Sequence, residues 1–350
     1  MIQQDKFLQL LHSPDEVNVT LALEMAKGLP EIDLQKYLVG CRELYECLIE
    51  ELAEHTVLEP THIASLNQIQ IDAARQSITA LPEAIGQLPN LQKLDLRENQ
   101  LATLPESISQ LTHLQELNLV DNEMVTLPES FGKLSNLRRL YLAWNQLEVF
   151  PECLAGLTGL QELDLGTNSL KELPEWIDNF KELHTLYLIE NSLTFLPPRF
   201  GKLQNLQELY AKANLLSSFP DCLQHLSRLK MLYLQSNGIT TIPDWLGTLA
   251  NLEHLNLANN QISDVPETLG KLKGLQDLHL GNNQLTQLPE SLGLLTNLKS
   301  LGLLRNKLTV LPEGIHRLPK LTFLNLSGNP LPDSEINKIE ASLPDCRVIF

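Results

Sequence analysis

The sequence lacks long apolar runs, a surplus of basic residues and any pattern of paired cysteines. No run of about 18 apolar residues occurs, so the sequence predicts no membrane-spanning helix. The five cysteines include no CxxC pair, and two of them, Cys153 and Cys222, share a repeat phase that would hold them roughly 14 Å apart. We therefore expect five reduced thiols, without disulfides or zinc ligands.

Basic residues are also scarce, with 26 Lys and Arg against 43 Asp and Glu and a net charge of −17. Binding to nucleic acid or to an anionic membrane depends on Lys and Arg, so we expect neither as a partner. The stretch Met1 to Leu10 carries Asp5 and Lys6 and has no uninterrupted apolar core, so it does not resemble a secretory signal. The expected location is cytoplasmic.

Motifs that carry catalysis are missing as well. The sequence contains no HExxH, GxxxxGK[ST], GxSxG or DxDxDG phrase. We predict that the protein is not an enzyme and needs no cofactor and no metal.

A repeat is present instead. From Leu91 to Leu321 the phrase LxxLxLxxNxLxxLPxxIxxLxx returns every 23 residues without a slip, and its ninth position is always Asn. The LxLxx segment predicts a short strand with inward leucines, and successive strands would stack as a parallel sheet. The Asn amide can both donate to and accept from backbone groups where the chain leaves the strand, so we interpret the Asn row as structural.

The second half of each repeat predicts a short helical turn. The Leu-Pro pair, as in Leu104-Pro105, would open that turn because Pro presets φ. An acidic residue follows the Pro in ten of eleven such positions, from Glu83 to Glu313. Two interpretations remain open for this acidic row: carboxylates at helix N-termini, or a dedicated acidic binding surface.

These residues resemble the leucine-rich-repeat family, in particular its intracellular 23-residue class, which includes Ras-binding scaffold proteins, plant Ras-group-related proteins and bacterial proteins. The resemblance covers about residues 68 to 329. It implies an α/β solenoid: a leucine-rich-repeat horseshoe with a concave parallel β-sheet, short helical turns on the convex side, a helical N-cap and a helix-strand C-cap. The repeated phrase specifies this scaffold and leaves the partner unspecified.

The ends depart from the repeat and predict caps. We expect a helical N-terminal cap over 1–67, a solenoid of about 12 repeats over 68–330 and a C-terminal cap over 331–350. In the first cap, Ser13-Pro14-Asp15-Glu16 predicts a capping box, a helix that stops at Gly28 before Pro30, and a second helix from about Ile32 to Glu54. A small docking module is the alternative function for this cap. In the C-terminal cap, we expect a helix from about Asp333 to Leu343 and a final strand over 347–350.

The third, fifth and seventh positions of each repeat should point away from the core, so they are free to carry function. The fifth position holds four of the six tyrosines, and three of them occur in successive repeats, about 4.8 Å apart in the predicted sheet. We predict a partner-binding surface centred on an aromatic ridge, since Tyr and Trp are enriched at interface hot spots. Its predicted residues are Tyr141, Trp144, Tyr187, Ile189, Glu208, Tyr210, Lys212, Met231, Tyr233, His254 and His279. The alternative is that Tyr merely suits a strand and stacks on its neighbours.

His254 and Asp277 should be lateral neighbours, with His279 close by. An acid–base pair or a metal site is one interpretation, and a hydrogen-bonded surface pair is the other.

We conclude from the sequence that the chain is an intracellular scaffold or regulator that binds a protein partner. The resemblance adds a small GTPase or a phosphatase or kinase assembly as partner types, and we expect a monomer. Two alternatives stay open: a secreted or host-directed recognition protein, and a regulatory subunit of an enzyme complex.

Overall fold

Each 23-residue phrase folds into a three-residue strand, a turn and a short 3-10 helix. The computed structural model describes residues 2–29, 32–53 and 55–350. The chain divides into two compact units, Met1–Asp164 and Leu165–Phe350, which we call the first and second units. None of the described helices is long and apolar enough to cross a membrane.

The strands of each unit run parallel and follow chain order. In the first unit they are β1 (Gln70–Asp72), β2 (Lys93–Asp95), β3 (Glu116–Asn118), β4 (Arg139–Tyr141) and β5 (Glu162–Asp164). In the second unit they are β6 (Thr185–Tyr187), β7 (Glu208–Tyr210), β8 (Met231–Tyr233), β9 (His254–Asn256), β10 (Asp277–His279), β11 (Ser300–Gly302), β12 (Phe323–Asn325) and β13 (Arg347–Ile349).

The repeat length fixes how neighbouring strands pair. Leu94 pairs with Leu117, 23 residues on, and Leu209 pairs with Leu232 in the same way. These central leucines are 0–1% exposed, whereas the residues on either side of them are partly exposed. Because side chains alternate along a strand, one face of the sheet packs on the leucine core and the other is open. The predicted fold class, an α/β solenoid of stacked repeats, is confirmed.

The Asn row binds adjacent repeats together. Asn122 is 7% exposed, and its amide nitrogen lies 3.0 Å from the Leu96 carbonyl and 3.2 Å from that of Leu119. Its amide oxygen accepts from the Leu101 backbone N–H at 3.0 Å. The predicted structural role of this row is therefore correct: each side chain serves polar groups of its own repeat and of the preceding one.

The turn after the Leu-Pro pair is a 3-10 helix, five residues long in most repeats, and Pro precedes it. Pro105 has an extended conformation, φ −70° and ψ 153°, and the helix starts at Glu106. The sequence predicted Pro as the first residue of the turn, whereas the turn begins one residue later, at the acidic residue.

The acidic residue begins its 3-10 helix, as one of the two interpretations predicted, and its carboxylate also reaches the next repeat. Glu83 Oε2 accepts from the Ser107 N–H at 3.3 Å, and Glu106 Oε2 accepts from the Ser130 N–H at 3.2 Å. The side chain extends along the stacking direction, so the carboxylate reaches the first turn of the following repeat. In these repeats it links neighbours as the Asn row does.

The N-terminal region is helical, with more helices than predicted. They are α1 (Ile2–Leu11), α2 (Glu16–Ala26), α3 (Leu34–Leu48) and α4 (Pro60–Leu66). The N-cap of α2 is Asp15, whose carboxylate accepts from the Val17 N–H at 2.9 Å, so the predicted capping box starting at Ser13 is wrong. Ser13 instead accepts the Asp15 N–H at 3.1 Å, because it lies two residues before the N-cap.

The predicted second helix ends earlier than expected, at Leu48. After Leu48, the chain packs back against this helix, because the Arg42 guanidinium donates to the carbonyls of Ala53 and Thr56. Its predicted end at Glu54 lies outside the described residues, as does Pro30.

The C-terminal helix α5 (Asp333–Ser342) and β13 follow the last repeat. The helix is fixed by a buried polar cluster, in which Glu335 Oε1 accepts from the Leu311 N–H at 2.9 Å. His316 Nδ1 lies 2.7 Å from Ser342 Oγ. The predicted helix–strand arrangement at this end is present.

Candidate interaction surface

The open side of the sheet carries the third, fifth and seventh residues of each repeat, and we call it the strand face. All eleven predicted site residues are at least partly exposed. Nine of them belong to the second unit, and Tyr141 and Trp144 belong to the first.

In the second unit the three tyrosines form a continuous stack. Strand pairing places Tyr187, Tyr210 and Tyr233 side by side. The ring centroids of the first pair are 4.6 Å apart with 12° between planes, and those of the second pair are 5.0 Å apart with 18°. Each ring is partly exposed, so the stack presents its edges to solvent. The three tyrosines therefore form a partly exposed row, as predicted. They also stack on one another, as the alternative interpretation expected.

The middle tyrosine is fixed by its hydroxyl. The Tyr210 hydroxyl donates to Glu208 Oε2 at 2.9 Å, and the hydroxyl oxygen also lies 3.2 Å from Met231 Sδ. Burial and then the Glu208 carboxylate raise the pKa of Tyr210 above the ordinary range. The ridge is thus preorganised, which lowers the entropy that binding would cost.

The sides of the stack carry the remaining predicted residues. Glu208 and Met231 precede the tyrosines on their strands, and Ile189 and Lys212 follow them, all partly exposed. Apolar and charged groups therefore border the rings on both sides, as at many protein interfaces.

Further along the second unit lies a pair formed by His254 and Asp277. His254 Nδ1 is 2.6 Å from Asp277 Oδ2, as expected from the pairing of β9 with β10. His279 lies on the same strand as Asp277, and burial lowers the pKa of its imidazole. Among residues 2–29, 32–53 and 55–350, no group of three metal-ligating side chains is close enough to hold an ion. His254 and Asp277 thus form a close, partly exposed surface contact.

The first unit has a charged strand face. Glu116 lies between two bases on neighbouring strands: its Oε2 is 3.6 Å from Lys93 Nζ and 2.6 Å from an Arg139 nitrogen. Tyr141 lies beside Glu162, and burial followed by the charge of that carboxylate raises the pKa of its hydroxyl. We call Lys93, Glu116 and Arg139 the charge ladder.

Trp144 is the most exposed of the predicted residues, at 58%. It occupies the eighth repeat position, which has positive φ in every described repeat from Glu98 to Arg305, with values of 48–58°. Left-handed backbone is unfavourable for a bulky side chain and is easiest for Gly or Asn. Trp144 therefore combines high exposure with an unfavourable backbone conformation.

Two features of the surface were not predicted. One is the pairing within the charge ladder, because ion pairs depend on rotamers. The other is Gly302, where an added Cβ would lie 2.6 Å from His279 Nδ1, so the imidazole leans over this glycine. The strand pairing of His279 with Gly302 was the available signal for the second feature.

Comparisons with known proteins agree with this architecture. The family described as a leucine-rich repeat region matches residues 43–166 and 240–340, and a second leucine-rich-repeat family matches 181–239. No curated protein matches the sequence.

Solved structures give the same fold. A leucine-rich-repeat protein of Leptospira interrogans is 29% identical, covers 91% of this chain and 98% of its own, and has a TM-score of 0.68. An internalin, InlF of Listeria monocytogenes, is 25% identical with coverages of 89% and 94% and a TM-score of 0.68. The plant peptide hormone receptor RGFR1, in complex with RGF2, is 28% identical with coverages of 76% and 52% and a TM-score of 0.59.

Proposed function

Because the chain belongs to the leucine-rich-repeat family, whose domains are generally protein-interaction modules, we propose that it binds a protein partner through the strand face of its second unit. The stack of Tyr187, Tyr210 and Tyr233 is the observation that carries this proposal. Tyrosine buries a large area with little loss of rotamer freedom and keeps a polar tip, so three adjacent rings are suited to an interface centre.

The surrounding residues complete the proposed site. Glu208, Lys212, Met231 and Ile189 border the stack, and His254 and His279 extend it along the sheet. In the first unit, Tyr141 and the exposed Trp144 are proposed as contacts in their own right.

The proposed role is that of a non-catalytic scaffold or regulator in the cytoplasm, in signal transduction. The 23-residue repeat class supports it and suggests a small GTPase or a phosphatase or kinase assembly as the partner.

A second candidate is recognition of a ligand outside the cell. It is favoured by the likeness to an internalin and to a plant peptide hormone receptor in complex with RGF2. Detection of the native protein in the medium or at the cell surface after fractionation would favour this second candidate over the first.

The test of the proposed site is affinity capture from native lysate followed by measurement of binding with the recovered partner. A variant with Tyr187→Ser, Tyr210→Ser and Tyr233→Ser should lose at least about 100-fold in affinity, because several hot-spot side chains are removed together. The matched control carries Lys93→Ser, Glu116→Ser and Arg139→Ser, three strand-face changes in the first unit, and should change affinity by less than about 3-fold.

Both variants must first show the cooperative thermal unfolding of the wild type. Equal affinity of the tyrosine variant and the wild type would refute the proposed site.

A further inference from the structure

On the strand face of the second unit, the strand next to the tyrosine stack carries the short side chain of Asn256 in place of a ring. We name the strip above β9, from Asn256 to Ala258, the β9 slot. Strand pairing places Tyr233 on one side of Asn256 and His279 on the other. Since parallel strands lie about 4.8 Å apart, the two rings stand on strands separated by about 10 Å.

This separation leaves room for one flat group. The His279 ring leans away from the slot, because its Nδ1 lies close to the position that a Cβ on Gly302 would take. On the other side, Tyr233 is the last ring of the stack: Tyr210 covers one of its faces, and the short side chain of Asn256 follows on the next strand. A planar group in van der Waals contact, about 3.5–4 Å from the Tyr233 ring, fits the slot.

The edges of the slot carry hydrogen-bond acceptors and negative charge. Asp277 uses Oδ2 to bind His254, while its second oxygen makes no hydrogen bond within the described part of the chain. Gln235, two residues after Tyr233, has a buried side-chain oxygen without a partner in the same described residues. Burial, followed by the charges of Asp277 and Glu208, raises the pKa of Tyr233, so both carboxylates act on this ring.

We propose that the β9 slot binds the guanidinium group of an arginine side chain presented by the protein partner, an inference that rests on the proposed function. Guanidinium is planar, always charged and rich in N–H donors, so it can stack on Tyr233 and donate to Asp277 at the same time. A lysine ammonium lacks the flat face. Phosphate and carboxylate groups are disfavoured, because Asp277 and Glu208 would repel them.

The experiment uses the small number of tyrosines. The full chain is prepared with carbon-13 in its tyrosine rings, which gives six sets of ring signals, and Tyr233→Phe assigns the relevant set. The probe is N-acetyl-arginine N-methylamide, whose only charge is the guanidinium. We expect the Tyr233 signal to shift and saturate with a dissociation constant on the order of tens of millimolar, since one stacking contact and one exposed ion pair contribute. The signals of Tyr37 and Tyr45, in α3, should stay in place and serve as internal controls.

Matched probes and variants identify the chemistry. The citrulline analogue keeps the shape without the charge, and the lysine analogue keeps the charge without the plane; each should bind at least about 3-fold more weakly. Asp277→Asn should weaken arginine-probe binding by about 3- to 5-fold. Glu162→Gln removes one negative charge from the strand face of the first unit and should leave binding unchanged.

An unmoved Tyr233 signal would overturn the assignment, as would equal binding of the citrulline or lysine analogue. Equal weakening by Glu162→Gln and Asp277→Asn would overturn it too, because the attraction would then be general. The proposed function is tested separately by the tyrosine-to-serine variant, so the β9 slot can fail while the tyrosine stack remains the interface.

Discussion

The two units are built on the same scaffold but carry different strand faces. In the first unit, the Glu116 carboxylate pairs with both Lys93 and Arg139, so each charge of the ladder has a partner within the protein. In the second unit the corresponding strands carry the stack of Tyr187, Tyr210 and Tyr233. Ion-paired groups lose hydration when another protein covers them, whereas aromatic edges lose little.

This difference separates the residues that specify the fold from those that are free to specify a partner. Asn122 in the first unit and Asn214 in the second make the same set of backbone hydrogen bonds. The residues on the strand face obey no such rule, since their side chains contact solvent and one another. The strand-face positions can therefore vary in chemical character, whereas the core positions stay apolar.

The largest expected effect tests the shared scaffold. Asn122→Ala and Asn214→Ala should each destabilise the protein by about 3 kcal/mol, because each leaves buried backbone groups of two repeats without a partner. Urea unfolding followed by circular dichroism measures both, and the changes should agree within about 1 kcal/mol. A large effect in one unit alone would show that the units do not share one scaffold.

The fold could be predicted almost completely because it follows from a strict period. Once the repeat length is 23, Leu94 must pair with Leu117 and the three tyrosines must lie side by side, so both the core and the stack follow. The N-terminal helices were harder to predict from the sequence. Helix α1 has no capping signal in the sequence, and α4 is only seven residues long.

The surface could be predicted only in part. A residue's position within the repeat identifies whether its side chain lies on the strand face. Its hydrogen-bond partner, however, depends on its rotamer. Glu83 could serve its own helix or the next one, and the sequence does not distinguish the two. In the same way, Asp15 and Ser13 compete to cap α2, and a difference of two residues decides the outcome.

A smaller effect tests the charge ladder. Glu116→Gln should destabilise the protein by about 1 kcal/mol at low ionic strength, because two bases lose their shared carboxylate at the partly exposed sites they occupy. Glu208→Gln in the second unit should cost only roughly 0.3 kcal/mol, since an amide oxygen can still accept from the Tyr210 hydroxyl.

Urea unfolding with and without added salt measures both variants. Salt should shrink the Glu116→Gln effect. Equal costs for the two variants, or a Glu116→Gln effect that ignores salt, would contradict the contrast between the strand faces.

Trp144 offers a test in which a change should stabilise the protein. Trp144→Asn should raise the unfolding free energy by about 0.5–1 kcal/mol, because Asn tolerates the positive φ of 57° that strains Trp. The matched reverse variant is Asn259→Trp in the second unit, where φ is 56°, and it should lower the unfolding free energy by a similar amount. Destabilisation by Trp144→Asn would mean that the indole contributes to packing despite its exposure.

The smallest expected effect concerns His279 and pH. Burial lowers the pKa of its imidazole, with the His254 ring acting in the same direction and Asp277 opposing it. The folded protein therefore binds a proton less readily than the unfolded chain, whose imidazole has a pKa of about 6.5. The stability due to the neutral ring is complete above that pH and is lost as the pH falls through 6.5 toward the folded value.

Proton NMR of the imidazole should place the His279 midpoint below 6.5, and Gly302→Ala should move it back toward the free value. The reason is geometric, because an added Cβ on Gly302 would lie 2.6 Å from His279 Nδ1 and displace the ring toward solvent. His279→Asn is the control for stability, and it should lose less unfolding free energy than the wild type between pH 7.5 and 5.5. A His279 midpoint above 6.5 would show that the charge of Asp277 affects the imidazole pKa more than burial does. In mild acid, His279 would then carry a positive charge close to the tyrosine stack.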